Sequence, residues 1–384
     1  IIFIDELDKV SRTEHGKEII GILTHLIDST QNDIFQDKYF GNVDLDLSKA
    51  LFIFSYNDVD CIDRILLDRI HRIKTKPLDK YEKTTIIQNY VLPEMMKTIG
   101  FNMSDIILPE DVIHYLITTY TFEAGVRKVK EKLFHILRHI NLHVLMNYEN
   151  FTSRPVEITR ELVDDILQNQ YKHRIKSITK HDRIGVANGL YATASGVGGL
   201  TMILIFPVFS EKSFSLKMTG QQGDVMKASI SVAQTVAWHL LTMERQKVLE
   251  QRENWGLHLH CPETSTPKDG PSAGGVLTVA FLSMYTDQPV NRECAMTGEI
   301  DLLGNIMPIG GLVSKIEGAR VAGAKIVLIP RDNEEDYEKI KRETPQFVEN
   351  EDFRIVVVDT IYDVLEHMFK DKKTLDTYLR EERL

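Results

Sequence analysis

The sequence predicts a multidomain fold of the α/β and α+β classes, in which a partial α/β core, a small helical domain and an α+β domain follow one another. Short apolar runs alternate with helical patterns near the N-terminus and again in the last third, which favours parallel sheets covered by helices. Residues 78–171 carry helical periodicity almost throughout. We therefore expect domains at 1–77, 78–171 and 184–384, with a basic, polar linker at 172–183.

Composition limits the class of protein. Hydrophobic residues make up 43% and charged residues 27% of the 384 residues, which is typical of a folded globular chain. The net charge of -10 disfavours a general nucleic-acid-binding surface, since that needs a basic face. No apolar run approaches the ~20 residues of a membrane-spanning helix, so no membrane partner is expected.

The cysteines and the first residues bear on location. Cys61, Cys261 and Cys294 form no C-x-x-C pair, which argues against a zinc site or a disulfide framework and favours a reducing compartment. We expect a cytoplasmic protein, with the mitochondrial matrix or another organelle as the alternative. The chain begins on a β-branched apolar run without Met, so we expect a fragment whose targeting signal, if any, would not be visible.

The first candidate site follows the apolar run at residues 1–4, which ends in Asp5 and Glu6. Ligands of open α/β sheets bind at the carboxyl ends of strands, where an Asp can hold phosphate-bound Mg²⁺ and a Glu can polarise a water. A second apolar run at 50–54 precedes Asn57, which we expect to orient the attacking water. The alternative is a strand that ends in acids only for solubility.

Two arginines extend this interpretation. Arg69 follows a short helical stretch and is suited to reach the γ-phosphate of a neighbouring subunit. Arg127 lies near the start of a helix predicted over 123–145, for which Thr121 is the expected N-cap. Either arginine alone would more commonly be a surface salt-bridge residue. The chain contains no G-x-x-x-x-G-K-[ST] loop, so on its own we expect it to bind ATP poorly.

The second candidate site contains a serine. The stretch P-K-D-G-P-S-A-G, residues 267–274, precedes an apolar helix that Asp269 and Pro271 are expected to begin. Ser272 would then occupy the first helical turn, where free backbone N–H groups and the positive end of the helix dipole suit an oxyanion. The alternative is a serine that only caps the helix.

A nucleophilic serine needs a base, and Lys315 is the candidate. It ends the stretch P-I-G-G-L-V-S-K among apolar residues, and burial disfavours the charged form of a lysine. To act near neutral pH, its pKa must fall from roughly 10.4 to near 7, which requires about 4 kcal/mol of desolvation. A solvated surface lysine would not achieve this.

A Ser–His–Asp triad is the competing assignment. His258 and His260 share one face of a strand predicted shortly before Ser272, and Asp269 is close in sequence. A metal site built from the same two histidines lacks a convincing third ligand.

Together these motifs resemble the Lon family of ATP-dependent proteases over nearly the whole chain. The resemblance implies a partial AAA+ α/β core, a helical lid and a Lon-type α+β proteolytic domain. Within the ATPase it implies Walker B, sensor 1, arginine-finger and sensor 2 positions at Asp5 with Glu6, Asn57, Arg69 and Arg127. The phosphate-binding loop of the family precedes Walker B.

In the proteolytic domain the resemblance implies a catalytic dyad of Ser272 and Lys315. It also implies that Thr297, in the stretch A-M-T-G-E-I, orients the lysine, and that Glu299 supports the site. Supporting roles are implied for His258 and Asp269.

At the level of function the resemblance implies an ATP-dependent serine endopeptidase of the endopeptidase La type. Its implied cofactors are ATP and Mg²⁺, with Asp5 as the metal residue through the bound nucleotide. Its implied partners are protein substrates and further copies of the chain in a homohexamer. The alternative is a nucleotide-driven remodelling module whose peptidase is inert.

Overall fold

The fold is described from a computed structural model. It describes these parts of the chain: residues 1–10, 14–36, 39, 41, 43–73, 75, 77–121, 123–146, 148, 155–172, 176–193, 196–262, 268–343 and 352–380. They form two compact units, Ile1–Lys76 and Pro77–Leu384. The boundaries predicted at 171/172 and 183/184 lie within the second unit and stay predictions.

The first unit is built on two parallel strands. Its elements are β1 (Ile2–Ile4), α1 (Leu7–Val10), α2 (Glu14–Ile27), β2 (Phe35–Gln36), β3 (Asp44–Leu45), β4 (Phe52–Phe54) and α3 (Arg64–Leu67). Ile2 lies opposite Phe52 and Ile4 opposite Phe54, so the two predicted strands are confirmed and end side by side. The helices pack against one another through a small buried cluster that includes Leu7, Leu23 and Leu66.

The second unit begins with helices. They are α4 (Lys80–Ile86), α5 (Leu92–Ile99), α6 (Glu110–Tyr120), α7 (Arg127–Leu145) and α8 (Arg160–Ile166), with one π-helical stretch at Ile87–Val91 between α4 and α5. A two-stranded parallel sheet, β5 (Ile106–Ile107) and β6 (Val156–Glu157), accompanies them. The apolar stripe of α7, including Leu133, Ile136 and Ile140, is fully buried in their common core.

The start of α7 differs from the prediction. The helix begins at Arg127, and the Glu123 carboxylate accepts hydrogen bonds from the backbone N–H groups of Lys128 and Val129, both at 2.9 Å. Thr121 instead donates to the Ile117 carbonyl at the end of α6. Thr121 is therefore not the N-cap, because the longer glutamate side chain reaches the free N–H groups from outside the helix.

The rest of the second unit surrounds a seven-stranded sheet. Its strands are β7 (Val186–Ala192), β8 (Gly198–Phe209), β9 (Leu216–Thr219), β10 (Trp255–His260), β11 (Cys294–Met296), β14 (Ile326–Pro330) and β15 (Arg354–Val358). Their order is β15-β14-β11-β7-β8-β10-β9, and β8 alone runs against the others. A small antiparallel pair, β12 (Glu299–Ile300) and β13 (Ile306–Met307), follows β11. The mixed α/β architecture predicted from the sequence is confirmed.

Helices cover both faces of this sheet. They are α9 (Asp224–His239), α10 (Met243–Glu250), α11 (Gly274–Thr286), α12 (Leu312–Val321), α13 (Glu334–Glu343), α14 (Ile361–Met368) and α15 (Lys372–Asp376). One core joins α9, α11 and α14 to the sheet. A separate core joins α12 and α13 to β7, β11 and β14. Helix α10 was not predicted, because Leu249 is its one buried residue and its sequence is otherwise polar.

Candidate active site

Several chain segments meet at one edge of the seven-stranded sheet. The parallel strands β7 and β11 are neighbours and end there at Ala192 and Met296. Strand β8 starts at the same edge because it runs the other way. The carboxyl edge of parallel strands is where open α/β sheets place their ligands.

Ser272 is held at the end of β11. Its carbonyl oxygen accepts hydrogen bonds from the backbone N–H of Gly298 at 2.8 Å and from the Thr297 hydroxyl at 3.4 Å. It lies two residues before the first residue of α11, whose N-cap is Ala273, and not in the first turn as predicted. Within the described residues, the backbone N–H groups of Ser272 and Ala273 have no hydrogen-bond acceptor, so they remain available to an oxyanion.

Asp269 has a different role from the one expected. Its Oδ1 accepts hydrogen bonds from the backbone N–H of Met226 at 2.9 Å and of Gly270 at 3.0 Å. It therefore caps α9 and does not begin α11. A Cβ at Gly223 would lie 2.4 Å from the Asp269 Cγ, so glycine is needed where the two segments meet. The loop that carries Ser272 is thus hydrogen-bonded through Asp269 to the N-terminus of α9.

Lys315 is buried in the first turns of α12, with 4% of its surface exposed. Burial lowers the pKa of its ammonium group from 10.5 to about 8. A shift of this size corresponds to about 3 kcal/mol of lost solvation for the charged form. The lysine is therefore neutral at mildly alkaline pH, as a proton acceptor must be.

Glycines explain why α12 lies so close to the start of β8. A Cβ at Gly198 would lie 1.8 Å from the Ser314 carbonyl oxygen, and one at Gly318 would lie 2.3 Å from the Gly199 nitrogen. The Ser314 hydroxyl also donates to the Gly196 carbonyl at 2.8 Å. Lys315 therefore lies on a helix whose backbone touches the edge of the sheet directly. Helix α12 thus packs where β7 ends and β8 starts, and Ser272 is held at the end of β11, the neighbour of β7.

The adjacent glycines of the lysine motif provide a matched test of this placement. Gly311 has φ +72° and a Cβ there would lie 2.8 Å from the Ala192 Cβ, whereas Gly310 has open space around its Cα. We expect Gly311→Ala to lower the free energy of unfolding by about 1–3 kcal/mol, because a side chain strains this backbone conformation. Gly310→Ala should change it by less than about 0.5 kcal/mol. Urea denaturation of both variants measures the difference, and equal effects would contradict the assigned conformation.

Of the two residues expected to support the dyad, Thr297 is hydrogen-bonded to Ser272 and Glu299 lies on β12. Thr297 is fully buried at the end of β11, and its hydroxyl donates to the Ser272 carbonyl. Among the described residues no hydrogen bond joins Lys315 to Thr297 or to the Ser272 hydroxyl. Glu299 pairs with Met307 across β12 and β13, and within the described residues no hydrogen bond or ion pair to its carboxylate is found. The orienting role of Thr297 and the support from Glu299 therefore stay predictions.

The histidines form a separate cluster around Thr219. The Thr219 hydroxyl lies 3.0 Å from His258 Nε2 and 2.7 Å from His260 Nδ1. In the part of the chain that the structure describes, neither ring bonds to Ser272 or Asp269. The residues of the competing triad are therefore not brought into a hydrogen-bonded chain. Thr219 was missed, because the contact depends on the pairing of β9 with β10.

In the first unit, the two predicted acids lie at the end of β1, next to the end of β4. Asp5 accepts hydrogen bonds from the backbone N–H of Glu6 at 3.0 Å and from the Ser55 hydroxyl. Glu6 adopts φ +55° and its carboxylate lies 2.6 Å from the Lys9 ammonium. The Asn57 N–H donates to Asp8 at 3.3 Å. Ser55 was missed, although its position directly after the second strand was a usable signal.

These strand ends suit a nucleotide-bound magnesium ion. Mg²⁺ usually takes one or two carboxylates and completes its shell with phosphate and water. Asp5 offers such a carboxylate beside a hydroxyl. Within the described residues no group of three or more His, Cys, Asp or Glu side chains could hold a metal without other ligands.

The two arginines have local partners. The Arg69 guanidinium contacts Asp28 at 3.2 and 3.1 Å and donates to the Ile65 carbonyl at 3.0 Å. Arg127 belongs to the second unit, is 91% exposed in its side chain and lies 3.6 Å from Glu131. The Arg127 pair is so exposed that it contributes little to stability, so this arginine can exchange Glu131 for a phosphate. The Arg69 pair is more shielded, with 36% and 18% of its side chains exposed.

Sequence comparisons decide the family. The profile of the Lon protease (S16) C-terminal proteolytic domain matches residues 157–371, more than half of the chain. The chain belongs to the Lon protease family. The Lon protease AAA+ ATPase lid domain matches residues 97–153, and the ATPase family associated with various cellular activities (AAA) matches residues 1–78. The AAA match indicates that nucleotide use accompanies the proteolytic domain.

Individual relatives agree with the profiles. The chain is 36% identical to a Lon protease homolog of Acanthamoeba polyphaga mimivirus, over 95% of this chain and 41% of the relative. It is 35% identical to a Lon protease of Campylobacter concisus, over 97% and 47%. It is 34% identical to a mitochondrial Lon protease homolog of Phaeodactylum tricornutum, over 96% and 43%. The chain thus spans less than half the length of these curated relatives.

Across the described residues, no helix has both the length and the apolar character needed to cross a bilayer.

Proposed function

We propose that this chain is the peptidase-bearing part of an ATP-dependent serine endopeptidase, with Ser272 as nucleophile and Lys315 as general base. The observation that carries the proposal is Lys315: a nearly inaccessible lysine whose pKa falls to about 8 through burial alone. Such a lysine is unfavourable for stability, and strongly perturbed groups of this kind cluster at functional sites. The proposal is supported by the start of α12, which lies against Ala192 at the end of β7, the strand next to β11 whose end holds Ser272.

The proposed reaction has two steps. Neutral Lys315 takes the proton of the Ser272 hydroxyl as its oxygen attacks the carbonyl carbon of the scissile peptide bond. The negative charge that develops on the carbonyl oxygen is stabilised by backbone N–H groups at the start of α11. The protonated lysine then gives its proton to the leaving amine, and an acyl-enzyme remains. Water attacks this ester with Lys315 again as base, which restores the serine.

The nucleotide part of the proposal concerns the first unit and the lid. Asp5 would hold Mg²⁺ on the bound ATP, Glu6 would polarise the attacking water and Asn57 would orient it. Arg69 would act on the nucleotide of a neighbouring copy in a homohexamer, and Arg127 would contact bound nucleotide from the lid. Protein substrates would be unfolded by this ATPase before cleavage. A cytoplasmic location stays a prediction, since the relatives include bacterial and mitochondrial proteins.

A fluorophosphonate probe tests the peptidase directly. We expect the wild-type protein to be labelled at pH 8 and Ser272→Ala to be unlabelled, because the probe forms its bond with the activated serine oxygen. Ser229→Ala is the matched control: its hydroxyl donates to the Pro271 carbonyl of the same loop at 3.2 Å but takes no part in the reaction. Intact-mass spectrometry reads both results.

Two outcomes would contradict the proposal. Labelling that persists in Ser272→Ala would place the nucleophile elsewhere. A folded wild-type protein that is never labelled would favour the remodelling module with an inert peptidase.

A further inference from the structure

Helix α12 presents two functional faces. Lys315 and Glu317 are two residues apart, so about 200° of helix rotation separates their side chains. Lys315 points into the core, whereas the Glu317 carboxylate lies 3.1 Å from the ammonium group of Lys80, the first residue of α4. The side chains of this ion pair are 19% and 22% exposed, so the pair is largely shielded from water. It joins the helix that carries the base to the first helix of the second unit.

A second link reaches α12 from the same part of the chain. Gly196 lies against Pro77, since a Cβ at Gly196 would be 2.5 Å from the Pro77 Cβ. The Gly196 carbonyl accepts the hydrogen bond from Ser314 at 2.8 Å. Two links from this part of the chain therefore reach α12. Pro77 acts through Gly196 on Ser314, and Lys80 pairs directly with Glu317. The two points of contact flank Lys315 in sequence.

Apolar and electrostatic contacts strengthen the connection. Tyr81 of α4 packs against the buried cluster that contains Leu312 and Ile316 of α12. The charge of Glu317 also acts on Lys83 and on His114, where it opposes the lowering of the pKa that burial causes. Glu317 therefore faces side chains of α4 and α6, and both of these helices lie outside residues 157–371 that match the proteolytic domain.

We propose that Lys80 and Glu317 are positioning residues of the peptidase, which couple the placement of helix α4 to the burial of Lys315. The inference rests on the proposed role of Lys315 as base. A displacement of α4 would shift α12 through the ion pair and the Pro77 contact, and would change how well the lysine is shielded from water. The lid region would thereby control the reactivity of the peptidase without touching its substrate.

The test measures fluorophosphonate labelling rates from pH 6 to pH 10 in the full chain. We expect Lys80→Met and Glu317→Gln each to slow labelling at pH 8 by about tenfold. We also expect the apparent pKa of labelling to rise from about 8 toward the ordinary lysine value, because a loosened α12 exposes Lys315 to water. A direct charge effect of Glu317→Gln would move this pKa downward, so its direction separates positioning from simple electrostatics.

Three further variants complete the design. Lys80→Arg keeps the charge and should retain wild-type behaviour. The double variant Lys80→Met/Glu317→Gln should be no slower than either single variant, since both remove the same interaction. Glu94→Gln removes a 3.0 Å ion pair with Lys130 that lies within the helical region, and it should leave labelling unchanged.

The failures are distinguishable. Absence of labelling in the wild type would overturn the proposed function itself. Normal labelling of the wild type together with normal rates and an unchanged apparent pKa in folded Lys80→Met and Glu317→Gln would overturn only the coupling. Additive losses in the double variant would also overturn it, because the two residues would then act independently.

Discussion

Replacement of Lys315 by methionine is expected to abolish peptide cleavage and to stabilise the fold. Loss of a general base costs roughly 100-fold to 10,000-fold in rate. In the part of the chain that the structure describes, no histidine ring is hydrogen-bonded to Ser272 and so none is in place to replace the lysine. Methionine has nearly the length of the lysine side chain and keeps its apolar stem, but it has no titratable nitrogen. Peptide hydrolysis and fluorophosphonate labelling should both be lost across pH 6–10.

The gain in stability follows from the lowered pKa of Lys315. This pKa is about 8 in the folded protein and about 10.4 in the unfolded chain, so the unfolded chain binds more protons between these values. The free energy of unfolding of the wild type therefore rises as pH rises from about 8 to about 10.4. Below pH 8 the buried lysine must be charged, and its full desolvation cost lowers stability. Lys315→Met should raise the free energy of unfolding by up to about 3 kcal/mol at pH 7, and the gain should shrink as pH rises through that window.

Denaturant unfolding at pH 7 and at pH 10 measures this change. Lys325→Met is the control, since the Lys325 side chain is 53% exposed and pairs with Glu293 at the surface. We expect it to leave both activity and the pH dependence of stability unchanged. A stabilised but fully active Lys315→Met protein would remove Lys315 from the mechanism, and activity retained only above neutral pH would direct attention to His258.

The sequence predicted the surroundings of the proposed catalytic residues better than it predicted their hydrogen-bond partners. Ser272 and Lys315 lie in motifs whose side-chain types already restrict the chemistry, and both map to the edge of one sheet. Asp269 was expected to begin α11, yet it caps α9 through Met226, 43 residues away. No local pattern predicts such a pairing, because it depends on how two loops meet in space.

The close approach of the α12 backbone to the start of β8 could not be predicted from the sequence either. The glycines around Gly198 were recognised as breaks between apolar runs. The reason for Gly198 itself is the Ser314 carbonyl oxygen, which leaves no room for a Cβ. The start of α7 shows the same limit at short range. Thr121 was a reasonable N-cap by residue type, whereas Glu123 performs the capping because the chain enters the helix later than periodicity suggested.

Replacement of Glu6 by glutamine should stop ATP hydrolysis while leaving the peptidase intact. Glutamine preserves the size of the side chain but cannot accept a proton from the attacking water, and loss of that function costs at least about 100-fold in rate. The test uses the protein from the complete gene, with ATPase activity, degradation of a folded substrate and fluorophosphonate labelling measured in parallel. We expect the first two activities to be lost and labelling to persist.

Lys9→Met is the matched control for this substitution. Lys9 forms a 2.6 Å ion pair with Glu6, but both side chains are more than half exposed, so the pair should contribute little. The variant should keep ATPase activity within about threefold of wild type, because Glu6 remains free to reach the water. Equal loss in Lys9→Met and Glu6→Gln would mean that the ion pair, and not proton acceptance, is what the ATPase requires. A wild-type protein that hydrolyses no ATP would remove the nucleotide part of the proposal and leave the Ser272–Lys315 peptidase to stand alone.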